Sequence, residues 1–185
     1  MQIQLNPELT PYSPFNREDP HWYAAQIRPN HEKRVAERMV QRDIEHLLPL
    51  YTSLRQWKDR KVSLSMPLFP GYLFVRLCLR ERPQVLELPG VARLVGIGSQ
   101  PAPLADEEIR AIQDCVSLES RIAPHPYLAV GNRARVRSGP FQGIEGIIVR
   151  SKSQTRLVIS FSLIQRSVTL EIDQIDQIFY ANGPL

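Results

Sequence analysis

Nowhere do the 185 residues supply the roughly 20 consecutive apolar positions that a membrane-crossing helix requires. The opening stretch, Met1 to Pro20, also lacks the basic-then-apolar pattern of a secretion signal, so a cytoplasmic protein with no membrane contact is expected. Cysteine is nearly absent. Cys78 and Cys115 stand 37 residues apart without a CxxC pair, which argues against a redox motif or zinc knuckle and for two reduced, buried thiols. The histidines His21, His31, His46 and His125 show no ligand or triad spacing, and the acidic residues fall mostly on predicted helix faces. Gly96-Ile97-Gly98 is followed by Ser99-Gln100-Pro101 with no helix start at the spacing of a phosphate-binding loop. No catalytic residue, metal site or cofactor is therefore assigned, and the chain is expected to work by binding as a monomer.

What is present is a modest excess of positive charge. The net charge is +4, and it is spread evenly: residues 21–116 and residues 127–185 each carry +3, while the first twenty carry −2. That balance suits a polyanion or an acidic partner, yet neither part is basic enough for a dedicated nucleic-acid domain.

Residues 1–20, with prolines at 7, 11, 14 and 20 and no periodicity, are expected to form a flexible tail. A first domain over residues 21–116 follows. Trp22 to Arg28 reads as a strand broken at Pro29-Asn30, with Asn30 placed to cap a helix from about His31 to Ile44. That helix is amphipathic, with Val35, Met39, Val40 and Ile44 as its apolar positions. Leu48 to Trp57 and Lys61 to Ser65 read as strands joined by Lys58-Asp59-Arg60, and a third runs on to about Leu79. Short helix Pro83–Leu88, strand Val91–Val95 and helix Asp106–Val116 complete an α+β layer. A linker is expected at residues 117–126, where Arg121-Ile-Ala-Pro124-His125-Pro126 has no periodicity. Residues 127–185 show strand patterns alone, broken by Gly139-Pro140 and Gly143, as a small β-barrel would.

The run Pro67-Leu-Phe-Pro-Gly-Tyr-Leu-Phe-Val75 is the most informative segment, uncharged and set between basic stretches. Alternation sends Leu73 and Val75 to one side and Tyr72 and Phe74 to the other, and an irregularity at Pro70-Gly71 brings Phe69 to the Tyr72 side with Leu68 opposite. One face can be core and the other needs a partner. A strand buried on both faces fits the same run.

Val130-Gly-Asn-Arg-Ala-Arg-Val-Arg-Ser-Gly-Pro-Phe-Gln-Gly-Ile-Glu-Gly-Ile-Ile-Val149 resembles a KOW motif. Preceded by Trp22-Tyr23-Ala24, His31-Glu-Lys-Arg34, the Pro67–Val75 run and Pro89-Gly-Val91, it gives residues 21–180 the order of motifs of the NusG family of transcription elongation factors. Asp59-Arg60-Lys61 and Gln165-Arg166-Ser167 are similar to specialised paralogs, the RfaH-like and UpxY-like antiterminators of polysaccharide operons.

The resemblance implies an amino-terminal domain with an antiparallel four-stranded sheet flanked by helices, tethered to an SH3-like KOW barrel. It further implies docking on the clamp helices of RNA polymerase and suppression of pausing. Phe69, Tyr72 and Phe74 match the family's clamp-binding aromatics, with Trp22 and Tyr51 flanking them or packing in the core. Arg28, His31, Lys33 and Arg34 lie where specialised members meet non-template DNA; a solvated helix face is the simpler account of them. Phe141, Leu163, Ile164 and Arg166 match the barrel surface that recruits a ribosomal protein or Rho, with Gln165 standing where many general members have glycine. The stretch near Arg82-Pro-Gln-Val85 departs from the histidine-threonine tract of RfaH-like members. Refolding of the second domain into helices is disfavoured by its β-branched residues. A ribosomal or general RNA-binding KOW protein is the rival reading, and it leaves the aromatic run unexplained.

Overall fold

Pro29 and Asn30 end the first strand, but Asn30 does so by its backbone. It takes a φ of 63°, a left-handed conformation that asparagine tolerates better than most residues. The expected Asn30 cap is therefore corrected: His31 occupies the N-cap position and makes no side-chain capping hydrogen bond. The computed structural model describes residues 18–57, 60–117, 122–128, 131, 133–136, 145–151, 154–172 and 178–180.

In chain order the first part contains β1 (His21–Ile27), α1 (Glu32–Gln41), β2 (His46–Leu47), β3 (Leu50–Trp57), β4 (Arg60–Pro67) and β5 (Tyr72–Leu77). There follow a 3-10 turn (Leu79–Glu81), α2 (Arg82–Leu86), β6 (Val91–Leu94), β7 (Gly96–Ile97), β8 (Gln100–Pro101), β9 (Pro103–Leu104) and α3 (Asp106–Ser117). The main sheet runs β2-β5-β1-β6, with β9 also pairing on β1, and every pairing is antiparallel. β5 is thus an interior strand, held between β2 and β1. β3 and β4 pair only with each other, in a register that puts Trp57 opposite Arg60, so Arg60 belongs to the strand and not to the connection.

α1 covers one face of this sheet because Val35 and Met39 fall on one side of the helix. They pack with Tyr23, Ala25, Leu73 and Val75 in a buried cluster. Val40, expected on that side, is 68% exposed, since one residue's 100° rotation carries it past the edge of the apolar stripe. The helix also ends earlier than its pattern suggested. Asp43 adopts a φ of 55°, its N–H donates to Val40 O (3.1 Å), and the Ile44 N–H donates to Met39 O (2.9 Å). This is a Schellman end, with Ile44 and Met39 making its customary apolar contact in the same cluster.

The second part contains β10 (Ile122–His125), β11 (Arg133–Val136), β12 (Glu145–Ser151), β13 (Gln154–Phe161), β14 (Arg166–Ile172) and β15 (Ile178–Tyr180). They form one antiparallel sheet in the order β10-β14-β13-β12-β11-β15. β10 comes from the stretch read as an irregular linker; it lies along the edge of β14, with Pro124 opposite Val168. Proline is tolerated on such an edge, where it forfeits no ladder hydrogen bond on the open side. Gly146 shows why this sheet needs a glycine in β12: a Cβ there would lie 2.6 Å from Val158 O and 2.8 Å from Leu157 Cγ.

The two parts meet on the sheet face opposite α1. There Trp22, Ala24, Phe74, Leu104, Ile109 and Ile112 form one buried cluster with Leu157, Ile159, Phe161, Val168 and Leu170 of the second sheet. Among the described residues no helix is long and apolar enough to cross a membrane.

Candidate functional site

The irregularity expected at Pro70-Gly71 is a tight turn. Tyr72 N–H donates to Phe69 O at 3.0 Å, Pro70 supplies the first central position, and Gly71 takes the φ of 83° that a type II turn demands of the second. Two further bonds fix its attitude. Ile27 N–H donates to Gly71 O (2.8 Å), and Gly71 N–H donates to Glu32 Oε1 (2.9 Å). Glu32 is only 5% exposed, so the first turn of α1 reaches through the sheet edge to hold the turn that displays the aromatics.

That turn delivers Phe69 and Tyr72 beside Phe74. Phe69 meets Phe74 edge-to-face, with centroids 5.6 Å apart at 89°. Leu68 joins this same cluster, contrary to the alternation that put it with Leu73 and Val75. The reason is local: residues 68–71 lie between β4 and β5, and the Leu68 N–H is bound to Pro49 O (2.8 Å), so strand periodicity does not extend to it. Trp22 is buried in the cluster, and Tyr51 packs against it half-buried.

The aromatic face is already occupied. Phe69 and Phe74 are 1% and 0% exposed, and Phe69 meets Phe161 of β13 edge-to-face at 5.2 Å and 88°. The guanidinium of Arg166 lies over the Tyr72 ring, 5.5 Å from its centroid. Phe161 and Arg166 are opposite each other in the β13–β14 ladder, flanking the turn 162–165. In that turn Gln165 takes a φ of 50°, a conformation that glycine would adopt without cost, and its Nε2 donates to Ser162 O (2.7 Å). Ile164 is buried in the shared cluster and Leu163 packs against it. Thus Leu163, Ile164 and Arg166, matched by resemblance to an outside partner, face the first domain here. Phe141 lies outside the described residues.

The basic residues are less uniform than their sequence suggested. Lys33 Nζ donates to Ser65 O (2.8 Å), tying α1 to the base of the β3–β4 ribbon. Arg38 and Arg42 donate to Pro89 O (2.6 Å) and Gln84 O (3.1 Å), on the α2 side of the helix. Arg28 and Arg34 are exposed, and His31, half-buried, has Nδ1 3.0 Å from Pro29 O. Among the described residues, then, Arg28 and Arg34 are the freest of the four positions matched to DNA. No group of three His, Cys, Asp or Glu side chains suited to a metal occurs among the described residues.

Two residues of this site were not singled out from sequence. Glu32 looked like any charged residue on an exposed helix face; its neighbour Pro29-Asn30, which turns the chain sharply into α1, was the available sign that the first helical turn lies near another loop. Phe161 is the aromatic that ends a strand of aliphatic residues just before a turn, an odd place for a purely internal side chain.

The family model described as "Transcription termination factor nusG" matches residues 20–113. The transcription termination/antitermination protein NusG of Staphylococcus aureus strain Mu50 is 30% identical over 165 residues, which span 84% of this chain and 90% of that protein. The same protein of strain N315 gives the same values. Among solved structures, one described as "Domain interaction in Thermotoga maritima NusG" superposes with a TM-score of 0.57 at 21% identity, covering 90% of this chain and 99% of that one. This likeness concerns the fold.

Proposed function

The chain belongs to the NusG family, and on that premise we propose that it is a specialised elongation factor that binds the clamp helices of RNA polymerase and suppresses pausing or termination at long operons. It acts by docking, without catalysis. The observation that carries this reading is the turn Phe69–Tyr72, held by Glu32, whose aromatics meet Phe161 and Arg166 of the second domain on a face that α3 also covers. Aromatic anchors of this kind dominate binding energy when a partner desolvates them.

The polymerase must displace Phe161 and Arg166 to reach that surface. A domain interaction is also what the Thermotoga maritima structure is described by. Release exposes Leu163, Ile164 and Arg166 to a ribosomal protein or Rho, so engagement of polymerase and of the second partner favour each other by linkage. In this reading Arg28, His31 and Arg34 meet non-template DNA, while Lys33 also holds the ribbon.

The test is a pull-down of RNA polymerase by the full chain and by its Phe69→Ala/Tyr72→Ala variant. Loss of a hot-spot aromatic costs about 2 kcal/mol or more, so retained polymerase should fall roughly thirtyfold. Equal retention by both proteins rejects the clamp assignment, and recovery of ribosomal RNA in place of polymerase supports an RNA-binding role instead.

A further inference from the structure

The second domain shows in detail what chemistry the aromatic surface accepts. It offers one apolar ring edge-to-face with Phe69 and one guanidinium to the face of Tyr72, and both come from a single cross-strand pair, Phe161 and Arg166. Directly opposed residues of an antiparallel pair have Cβ atoms about 5 Å apart. Residues three or four apart on an α-helix are separated by about 5–6 Å. A helix can therefore present the same pair of groups at the same spacing.

We infer that the polymerase helix that binds here carries an arginine or lysine three or four residues from a large apolar side chain, the cation seated over Tyr72 and the apolar group against Phe69. This deepens the clamp-helix reading above and rests on it. The β13–β14 turn then acts as a mimic of the partner: closure and docking compete for the same two contacts. Charge explains the choice of occupant, since the face of a tyrosine ring attracts a cation and repels a carboxylate. The sheet supplies a polar rim beside it, where Gln26 pairs with Tyr72 on one side and Arg93 on the other, and Arg93 Nε donates to Gln26 Oε1 at 2.8 Å.

The experiment measures binding of full-length protein to intact core RNA polymerase in which each Arg or Lys of the clamp helices is changed singly to Gln. All measurements use the Arg166→Gln background, which removes the intramolecular cation. Tyr72→Leu is expected to weaken binding roughly three- to tenfold, and Tyr72→Phe, which keeps the π face, to stay near the parent. One basic clamp residue should lose its effect when Tyr72→Leu is present. If every basic substitution acts equally with and without Tyr72→Leu while Phe69→Ala still abolishes binding, the cation inference is overturned and the docking site stands. If Phe69→Ala has no effect either, the clamp reading falls with it.

Discussion

Both faces of β5 are covered, the Leu73, Val75 and Leu77 face completely and the Tyr72, Phe74 and Arg76 face less so, and the covers differ. On one, Leu73 and Val75 pack under α1, an element joined to β1 by a short turn and anchored by Arg38, Arg42 and a Schellman end. On the other, Phe74 meets Phe69, which packs against Phe161 from a chain segment more than ninety positions away. Burial alone does not separate a structural core from a docking surface. In the docking proposal what separates them is whether the cover can leave without unfolding the strand, with α1 as the permanent cover and the second sheet as the displaceable one.

Three substitutions press on this contrast. Leu73→Ala removes a fully buried side chain from the permanently covered face and should destabilise the first domain by about 2–5 kcal/mol in denaturant unfolding, with no gain in polymerase binding. Glu32→Ala strikes the link between the faces: it leaves the Gly71 N–H without its charged partner, at a cost of about 1.5–3 kcal/mol, and should speed hydrogen exchange at that amide, while Glu32→Gln retains an acceptor and most of the protection. Phe161→Ala acts on the displaceable cover. It should raise polymerase affinity about tenfold, as expected if the open form rises from about a tenth of molecules to nearly all, and NMR should show the domains tumbling independently. If Phe161→Ala instead unfolds the first domain, the two faces do not differ as argued.

Alternation and helical spacing were enough to find β1, α1, β5, α3 and most strands of the second sheet, because each buries a face whose period is set by its own backbone geometry. The failures share a physical cause. Leu68 and Asn30 sit where the chain leaves regular structure, so neither period applies and turn conformation decides the outcome. Val40 sits at the margin of a stripe, where a single step of rotation separates buried from exposed. β10 was hidden because Pro124 and Pro126 suppress the strand signal, though an edge position tolerates proline. At the candidate site, Phe69, Tyr72 and Phe74 were legible as a two-sided element. The occupancy of their outer side by Phe161 and Arg166 was not, since a contact between distant segments leaves no periodic trace in either.

The position of β10 has a consequence for how the closed form is maintained. Because Ile122 already belongs to the second sheet, only five peptide steps separate it from Ser117 at the end of α3, a span of at most about 18 Å. A ligand on so short a leash is present at an effective concentration in the millimolar range. The contacts of Phe161 with Phe69 and of Arg166 with Tyr72 can therefore be weak by the standard of a bimolecular complex and still keep most molecules shut. Any competitor for that surface faces a neighbour that never diffuses away, and a weaker contact, more than a longer tether, would leave the surface open, since each doubling of a flexible connection costs only about 0.6 kcal/mol.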